Sequence, residues 1–302
     1  MFDYSLTPDA KSDPKFPKSA PLKALNRMIG RIPDAVPYRS YSQVKKYAAC
    51  PLQWRLSREF EPAFVPAGLM FGGGFHAAVE TFYRARLAGR AAGRGELLDA
   101  YDLHWARETA DGNPPVRFTA KLEDAAGMRD LAARMLETFL DAVRPGAVIA
   151  VEEPFVVTLA PDLPPIVGRI DLIELRKDAD GINRLHLVDF KTLARRPTGE
   201  DLDADQLLLY EIAAAQVGWT DTAGMSLALR FDTITKAKNP EFISVPVTAT
   251  RHGFARLVEK IRHCHNAMEA GICYPAPSWS CASCGYAAQC AEWPNQQTTS
   301  AA

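Results

Sequence analysis

The first half of the chain carries apolar residues at the spacing that is typical of helices. Ser40 or Ser42 can cap a helix, and Pro51 predicts that this helix breaks into two short ones. Three glycines at residues 72–74 predict a flexible lead-in to a further helix that begins at His76. A stretch predicted to be helical throughout, residues 95–145, has an apolar face formed by Met128, Leu131, Met135, Phe139 and Val143.

The second half of the chain changes to short runs of β-branched and aliphatic residues, which predict strands. Strands are expected at residues 151–159, 165–175, 184–192, 224–231 and 241–247, with helices at residues 203–218 and 250–270. The pair Asp180–Gly181 predicts a tight turn between the second and third strands. This order of elements predicts an α/β fold in which helices flank a mixed central sheet.

Composition and charge narrow the range of functions. The 302 residues are 47% hydrophobic and 24% charged, which is typical of a globular protein. The polar residues 1–37, which we interpret as a flexible tail, lack the apolar core of a signal peptide, and no later run approaches the length of a membrane span. We therefore expect a cytoplasmic protein without a membrane partner. Since the net charge is −1, any nucleic acid must be bound by local basic patches.

Two neighbouring predicted strands carry acids among apolar residues. Asp171 lies inside one strand, and Asp189 and Lys191 lie two residues apart at the end of the next, so that they face the same way. If these strands pair as a hairpin, Asp171 can approach Asp189, and a divalent cation would relieve the repulsion between the carboxylates. Oxygen ligands favour Mg²⁺ or Mn²⁺, and Lys191 could orient an attacking water or stabilise charge on a phosphate.

Each of these motifs alone has an ordinary structural explanation. Asp171 and Asp189 could form surface ion pairs at strand ends, because an Asp-x-Lys pattern often arises by chance. The four-residue spacing of His76 and Glu80, like that of Gln206 and Tyr210, places each pair on one helix face. Such pairs are usual in helices that have no catalytic role, so the significance of the motifs lies in their combination.

The combination resembles the RecB-like nucleases of the PD-(D/E)XK superfamily, over residues 38–290. The matching motifs, in the order of that family, are Gly72-x-x-x-His76 with Glu80, Gly168-x-x-Asp171, Asp189-x-Lys191 and Gln206-x-x-x-Tyr210. The resemblance implies a restriction-endonuclease-like core with a mixed sheet. Asp189 stands where many relatives carry Glu, and the family tolerates either acid.

The resemblance also implies a role for each site residue. His76, Asp171 and Asp189 would bind the catalytic metal together with the backbone carbonyl of Phe190, and Lys191 would be the catalytic lysine. Two further residues, Gln206 and Tyr210, would line the site and contact DNA. Glu80 would support either the metal shell or only the helix.

The predicted domain organisation has one nuclease domain at residues 38–302. Within it we expect a helical insertion at about 91–147, the nuclease core at about 148–270 and a cysteine cluster at 271–292.

The cysteines predict a metal site that joins distant parts of the chain. Three of them form the pattern Cys281-x-x-Cys284-x5-Cys290, and Cys50 lies far upstream. Four thiolates suit either Zn²⁺ or an iron–sulfur cluster, and Cys-x-x-Cys alone slightly favours zinc. The arrangement is similar to that of the AddB-type and CRISPR-associated four-cysteine exonucleases, which implies a 4Fe–4S clamp with a structural or redox role.

The two remaining cysteines, Cys264 and Cys273, are expected to be packed side chains. Among the basic residues, Arg195 and Arg196 are the best candidates for contacts with DNA phosphates, because they directly follow the strand that carries Lys191. The sequence contains no G-x-x-x-x-G-K-[ST] nucleotide loop, so we expect a free-standing nuclease or the partner of a separate helicase or recombination protein.

The sequence favours a metal-dependent DNA exonuclease that acts on ends or single strands in recombination, repair or replication. Two alternatives stay open. The first is a structure-selective endonuclease. The second is a DNA-binding scaffold that keeps the nuclease fold without catalysis, although a scaffold would need neither the acids nor Lys191.

Overall fold

The computed structural model of the protein describes residues 38–119, 124–198, 202–216 and 226–293. The predicted tail, residues 1–37, lies outside the described residues. The described chain begins with strand β1 (Arg39–Ser40) and helices α1 (Tyr41–Ala49) and α2 (Pro51–Glu59). The Ser40 hydroxyl accepts a hydrogen bond from the Gln43 amide in a capping box, and Pro51 stands at the start of α2. The predicted cap and the predicted break into two helices are both confirmed.

The next part of the chain is a helical layer with one short strand pair. Its elements are β2 (Val65–Pro66), α3 (Ala67–Leu87), α4 (Arg94–Glu108), β3 (Val116–Arg117) and α5 (Ala125–Ala142). The prediction that residues 95–145 are helical throughout was wrong, because β3 interrupts them and pairs in parallel with β2.

The predicted flexible lead-in at residues 72–74 was also wrong, since these glycines lie inside α3. Close packing against α4 explains their helical conformation. A Cβ atom at Gly73 would lie 2.5 Å from Nε2 of His104, and one at Gly74 would lie 2.8 Å from Cδ2 of Tyr101. The glycines therefore allow the two helices to approach each other, and this packing outweighs the low helix propensity of glycine.

The central sheet follows, with two helices. Its elements are β4 (Ala147–Val157), β5 (Ile166–Lys177), β6 (Asn183–Leu193), α6 (Asp205–Gln216), β7 (Leu227–Thr235), β8 (Phe242–Val247) and α7 (Arg251–Glu269). Strands β4, β5 and β6 form an antiparallel meander, β7 pairs with β6 in parallel, and β8 pairs with β7 in antiparallel fashion. The predicted turn before β6 contains Gly181 with a φ of 81°, a conformation that glycine adopts without strain. The prediction of a mixed central sheet flanked by helices is confirmed.

Two apolar clusters cover the two faces of the sheet. Side chains of α6 and α7 pack with Ile173, Leu187 and Phe231 on one face. Side chains of α3, α4 and α5 pack with Leu172 and Val188 on the other face. Because the helices of the predicted insertion share this second core with the sheet, they hold α3 against β4 and β6.

One edge of β5 is shared by two strands. Strand β1 pairs with β5 at Ile166 and Val167, and β6 pairs with it from Leu172 onward. Between these two pairings, residues 168–171 of β5 have no strand partner on this edge among the residues that the structure describes. The resulting opening, which we call the β5 gap, contains Asp171.

The C-terminal segment of the described chain packs against α2. It contains a 3₁₀ turn (Trp279–Ser283) and helix α8 (Ala287–Ala291). Tyr286 packs there against Leu52 and Leu56 of α2. Within the described ranges, no helix combines the length and the apolar character needed to cross a membrane.

Candidate active site

The hairpin of β5 and β6 brings the two predicted acids together. Asp171 and Asp189 lie directly beyond Leu172 and Val188, the last paired residues at this end of the hairpin. One carboxylate oxygen of Asp171, Oδ2, accepts a hydrogen bond from the Phe190 amide at 2.9 Å. This bond holds Asp171 against β6, where both carboxylates are largely buried.

Helix α6 supplies polar groups to the same place. The Tyr210 hydroxyl lies 3.4 Å from Oδ1 of Asp171 and 3.3 Å from Oδ1 of Asp189, within hydrogen-bonding distance of both. Gln206, one turn earlier, donates to the Tyr210 hydroxyl at 3.0 Å through Nε2. It accepts from Lys191 Nζ at 3.3 Å through Oε1. The same ammonium lies 2.5 Å from Oδ2 of Asp189. Gln206 and Tyr210 of α6 therefore both face the ends of β5 and β6, as their four-residue spacing predicted.

Helix α3 closes the site from the other direction. His76 Nε2 lies 3.0 Å from Oδ2 of Asp171 and 3.6 Å from Oε1 of Glu152. Glu80 forms an ion pair with Arg84 at 2.5 Å, yet it also faces His76. Ligand atoms of His76, Glu80 and Glu152 all lie within 4.8 Å of one another, a spacing at which they could hold one metal ion.

Glu152 is a site residue that sequence reasoning missed. Its neighbours Val151 and Glu153 pair with Leu172 and Ile170, so Glu152 stands opposite Asp171 on β4. Its backbone has a φ of 54°, an uncommon and strained conformation for a residue other than glycine. The signal in the sequence was a pair of adjacent acids in an otherwise apolar strand, which does not show which acid faces the site.

Burial and mutual repulsion shift the ionisation of the acids. Burial, with the Asp171 charge, raises the pKa of Asp189 to about 6, against the opposing effect of Lys191. Burial also raises the pKa of Glu152 to about 7, although the charge of His76 opposes this. For Asp171, burial acts upward, but the hydrogen bond and charge of His76 outweigh it and lower the pKa.

His76 responds to the same charges. Burial lowers its pKa, but the hydrogen bond with Asp171 and the charges of Asp171, Glu152 and Asp189 outweigh burial and raise the pKa to about 9. In addition, Oε1 of Glu152 is buried without a hydrogen-bond partner among the described residues. Carboxylates that repel each other beside an imidazole are a donor set that fits a divalent cation.

The glycine of the Gly168-x-x-Asp171 motif has a packing role. Gly168 lies opposite Phe155 in the β4–β5 pair. The Phe155 ring in turn contacts the ring of Tyr210 edge-on, with centroids 6.0 Å apart and an interplanar angle of 73°. The contact between Gly168 and Phe155 therefore helps to set the position of Tyr210.

Two cavities adjoin the carboxylates. The first, which we call the α3 cavity, has a volume of about 290 Å³, and its lining includes Gly68, Gly72, His76, Lys191, Thr192 and Lys236. The second, the α6 cavity, has a volume of about 310 Å³, and its lining includes Ser40, Ser42, Lys45, Arg169, Gln206 and Tyr210. Residues of the site therefore face solvent-accessible space on the α3 side and on the α6 side.

The predicted phosphate contacts do not converge on this site. Arg196 is exposed and forms an ion pair with Glu241 at 2.8 Å. Arg195 is also exposed, and neither arginine lines the α3 cavity or the α6 cavity. Their assignment as DNA contacts stays a prediction.

The four clustered cysteines lie together, away from the carboxylates. Cys50, Cys281, Cys284 and Cys290 line a cavity of about 280 Å³ between α2 and the C-terminal segment. Cys50 caps α2, and its Sγ accepts a hydrogen bond from the Gln53 amide at 3.4 Å. In the described part of the chain, no three cysteine sulfurs lie within 4.8 Å of one another.

The two other cysteines are packed, as predicted. Cys264, a residue of α7, packs against the core, and Cys273 packs against the cluster that contains Leu52.

Comparison with known proteins agrees with this geometry. A sequence model described as the PD-(D/E)XK nuclease superfamily matches residues 38–291. The chain therefore belongs to the PD-(D/E)XK nuclease superfamily. The acids, the lysine and the histidine described above lie within the matched range.

Solved structures resemble the chain more distantly. A candidate exonuclease from Eubacterium rectale is 16% identical, with a TM-score of 0.46, over 79% of this chain and 83% of that protein. The protein SSO0001 is 15% identical, with a TM-score of 0.30, over 82% of this chain and 93% of that protein. No curated protein matches the chain. The assignment to the superfamily rests on the family match.

Proposed function

We propose that the protein is a metal-dependent DNA exonuclease that hydrolyses phosphodiester bonds at DNA ends or in single strands. The observation that carries this proposal is the meeting of Asp171, Asp189 and Lys191 at the β5 gap, beside His76. A bound Mg²⁺ or Mn²⁺ would lower the pKa of a coordinated water and polarise the phosphodiester. His76, Asp171 and Asp189 would hold the ion, with the Phe190 carbonyl, and the position of Glu152 supports a role for its carboxylate as a further ligand.

The protein's own residues would perform the remaining tasks. Lys191 is held by Asp189 and Gln206 at the border of the α3 cavity, where its ammonium can stabilise negative charge on the phosphate. Tyr210 is nearly inaccessible to solvent and lies within hydrogen-bonding distance of both aspartates, so it fixes their orientation. Gln206 connects Lys191 to Tyr210. Under this proposal, a change in either helical residue would disturb the orientation of the acids as well as any contact with DNA.

A second part of the proposal concerns the cysteines. We propose that Cys50, Cys281, Cys284 and Cys290 hold a 4Fe–4S cluster, as in the iron–sulfur exonuclease branch. Zn–S bonds of about 2.3 Å would place four sulfurs about 3.8 Å apart around one zinc ion. The cavity of about 280 Å³ that the four cysteines line supports a group larger than one ion. The cluster would join α2 to the C-terminal segment, and Zn²⁺ is the less favoured occupant.

The proposed partner is DNA, either single-stranded or with free ends. Arg195 and Arg196 are proposed to reach phosphates outside the two cavities, and a separate helicase or recombination protein would supply unwound strands. The six cysteines form no disulfide in the described structure, which suits the reducing cytoplasm that we propose as the location.

The decisive experiment compares linear with circular single-stranded DNA of the same sequence, end-labelled where ends exist. In the presence of Mg²⁺ or Mn²⁺, the linear substrate should be degraded from an end, whereas the circular substrate should persist. EDTA should stop the reaction. Cutting of the circle at a comparable rate would instead identify an endonuclease. Binding of DNA without any cleavage under a full metal titration would identify a scaffold.

A further inference from the structure

Lys236 is a basic residue at the α3 cavity that the proposed mechanism does not use. It directly follows β7, and its amide donates a hydrogen bond to the carbonyl of Leu193 at 2.6 Å. Its ammonium lies 3.5 Å from Oγ1 of Thr192 and 5.8 Å from the centroid of the Phe71 ring. Lys236 and Thr192 both line the cavity that contains His76. The ammonium is therefore directed toward the space next to the proposed metal site.

Among the residues that the structure describes, no carboxylate is paired with the charge of Lys236. Lys191, on the same cavity, is matched by Asp189. For Lys236, no acid of the described residues lies within 4.0 Å of the ammonium. Asp232 also lines the cavity, but its carboxylate accepts hydrogen bonds from Arg230 at 2.9 Å and from Ser244 at 2.6 Å.

Partial burial makes an unmatched ammonium unfavourable. Desolvation lowers the pKa of Lys236 below its ordinary value, and no acid of the described part of the chain offsets this cost. An anionic ligand in the cavity would do so. A cation–π contact with Phe71 stabilises the ammonium only modestly.

Gly68 leaves open space at the wall of the α3 cavity, whereas Gly72 lies beside Thr192. Gly68 and Gly72 of α3 present no side chain there. A Cβ atom at Gly68 would meet nothing within 4 Å, and one at Gly72 would lie 3.7 Å from Oγ1 of Thr192. The cavity thus combines a glycine wall with a hydroxyl and an unmatched ammonium, which are groups that suit a sugar–phosphate chain.

We propose that Lys236 and Thr192 bind the DNA phosphate next to the scissile phosphate, on the α3 side of the metal site. This proposal rests on the proposed function and adds a second phosphate position to it. Lys236 is thereby a positioning residue, because its contact sets which phosphodiester bond faces Lys191 and the metal ligands. The contact reads charge and not base sequence, so it applies to any DNA strand.

The first test measures binding without turnover. The affinity of the full chain for a fluorescent single-stranded oligonucleotide is measured with Ca²⁺ in place of Mg²⁺, over a range of salt concentrations. We expect K236Q to weaken binding about tenfold, as for loss of one charge-assisted contact. The slope of log K against log salt should fall by about 0.7. K236R should recover most of the affinity, because it restores the charge. K238Q is the matched control, since Lys238 is exposed two residues further along and does not line the cavity.

The second test locates the phosphate. Each internucleotide phosphate in turn is replaced by a neutral methylphosphonate, and binding is measured for the wild type, K236Q and K238Q. We expect one position, adjacent to the cleaved bond, at which the wild type and K238Q lose affinity about tenfold while K236Q loses nothing further. If the affinity loss caused by K236Q adds to the loss caused by the methylphosphonate at every position, the proposal is overturned. This criterion holds even if K236Q is less stable than the wild type. A non-additive position that is not adjacent to the cleaved bond would also overturn the proposal.

Failure of the proposed nuclease function can be distinguished from failure of the proposed Lys236 contact. A protein that shows this position-specific pattern but cleaves no DNA with Mg²⁺ or Mn²⁺ would keep the Lys236 contact and lose the nuclease. A protein that cleaves normally, with K236Q binding like the wild type, would keep the nuclease and lose the contact.

Discussion

Phe155 lies across the β4–β5 pair from Gly168, and its ring fills the space that a side chain at Gly168 would occupy. A Cβ atom at Gly168 would lie 2.5 Å from Cζ of Phe155, closer than real contacts allow. Because the same ring packs edge-on against Tyr210, a change at Gly168 must be transmitted toward the two aspartates.

We expect Gly168→Ala to displace Phe155 and, through it, Tyr210. Overpacking of this kind typically lowers the free energy of unfolding by about 1–3 kcal/mol. Nuclease activity should fall as well, since Tyr210 would no longer hold both carboxylates. Chemical denaturation and a cleavage assay measure the two effects. Gly95→Ala in α4 is the control, because a Cβ atom there meets nothing within 4 Å and should leave both properties nearly unchanged. Equal behaviour of the two variants would contradict the packing role.

Asp189→Asn and Lys191→Ala should each abolish cleavage. Removing one group that stabilises a transition state typically costs about 10²–10³ in rate. The fold should persist, since burial opposes the charged form of Asp189 and raises its pKa to about 6, so that a neutral asparagine removes a desolvation cost. Turnover numbers and thermal melting measure the two expectations. Asp102→Asn, at the surface ion pair of α4 with Arg129 of α5, serves as a control that should keep full activity. Near-normal turnover in either site variant would refute the assignment of that residue.

The stability of the metal-free protein should fall as the pH rises. The folded state holds the proton of Glu152 up to a pKa of about 7, against an ordinary value of 4.5, and that of His76 up to about 9, against 6.5. The folded state therefore binds more protons than the unfolded state between pH 4.5 and about pH 7 at Glu152, and between pH 6.5 and about pH 9 at His76. Stability is lost as the pH rises through these two windows. Melting temperatures in EDTA between pH 4.5 and pH 9 measure the decline.

Glu152→Gln should flatten the acidic half of that profile, because the group no longer titrates. Added Mg²⁺ should raise the melting temperature most at high pH, since the ion binds the deprotonated ligands. A melting temperature in EDTA that rises steadily over the same range would contradict the assigned shifts.

Protein purified without air should be brown and should contain iron in preference to zinc. Each single replacement by Ala of a cluster cysteine, namely Cys50, Cys281, Cys284 or Cys290, should remove the colour. It should also lower the melting temperature, because the link between α2 and the C-terminal segment is lost. Cys264→Ala and Cys273→Ala are controls that should keep the iron. A colourless protein with one zinc ion would refute the cluster but retain the clamp. Full metal content in Cys50→Ala would refute the clamp.

Local sequence patterns predicted those features of the fold that are set by residues close together in the sequence. The Ser40 cap, the break at Pro51 and the turn at Gly181 depend on residues close along the chain, and all were predicted. The helical conformation of residues 72–74 was missed, because it depends on packing against His104 and Tyr101 of another helix.

In the candidate site, too, the features set by residues on one hairpin were predicted and the others were missed. The approach of Asp171 to Asp189 was predicted, since both lie on one hairpin. Glu152 was missed, because alternation along β4 does not show which of two adjacent acids turns toward the site, and its positive φ departs from regular strand geometry. The pairing of β1 with β5 was also missed, because a strand of two residues leaves no periodic signal.

The placement of His76 on α3 makes the complete site depend on contacts between distant parts of the chain. Asp171, Asp189 and Tyr210 belong to one stretch of sequence, in which Tyr210 comes 39 positions after Asp171, and the hairpin of β5 and β6 can form from local contacts. His76 lies on α3, before α4 and α5 in the chain, so it can reach Asp171 only when α3 packs against the sheet. An intermediate that has formed only the meander would hold its carboxylates apart from their histidine. Under the proposed function, such a partly folded chain would bind the metal weakly and would lack nuclease activity.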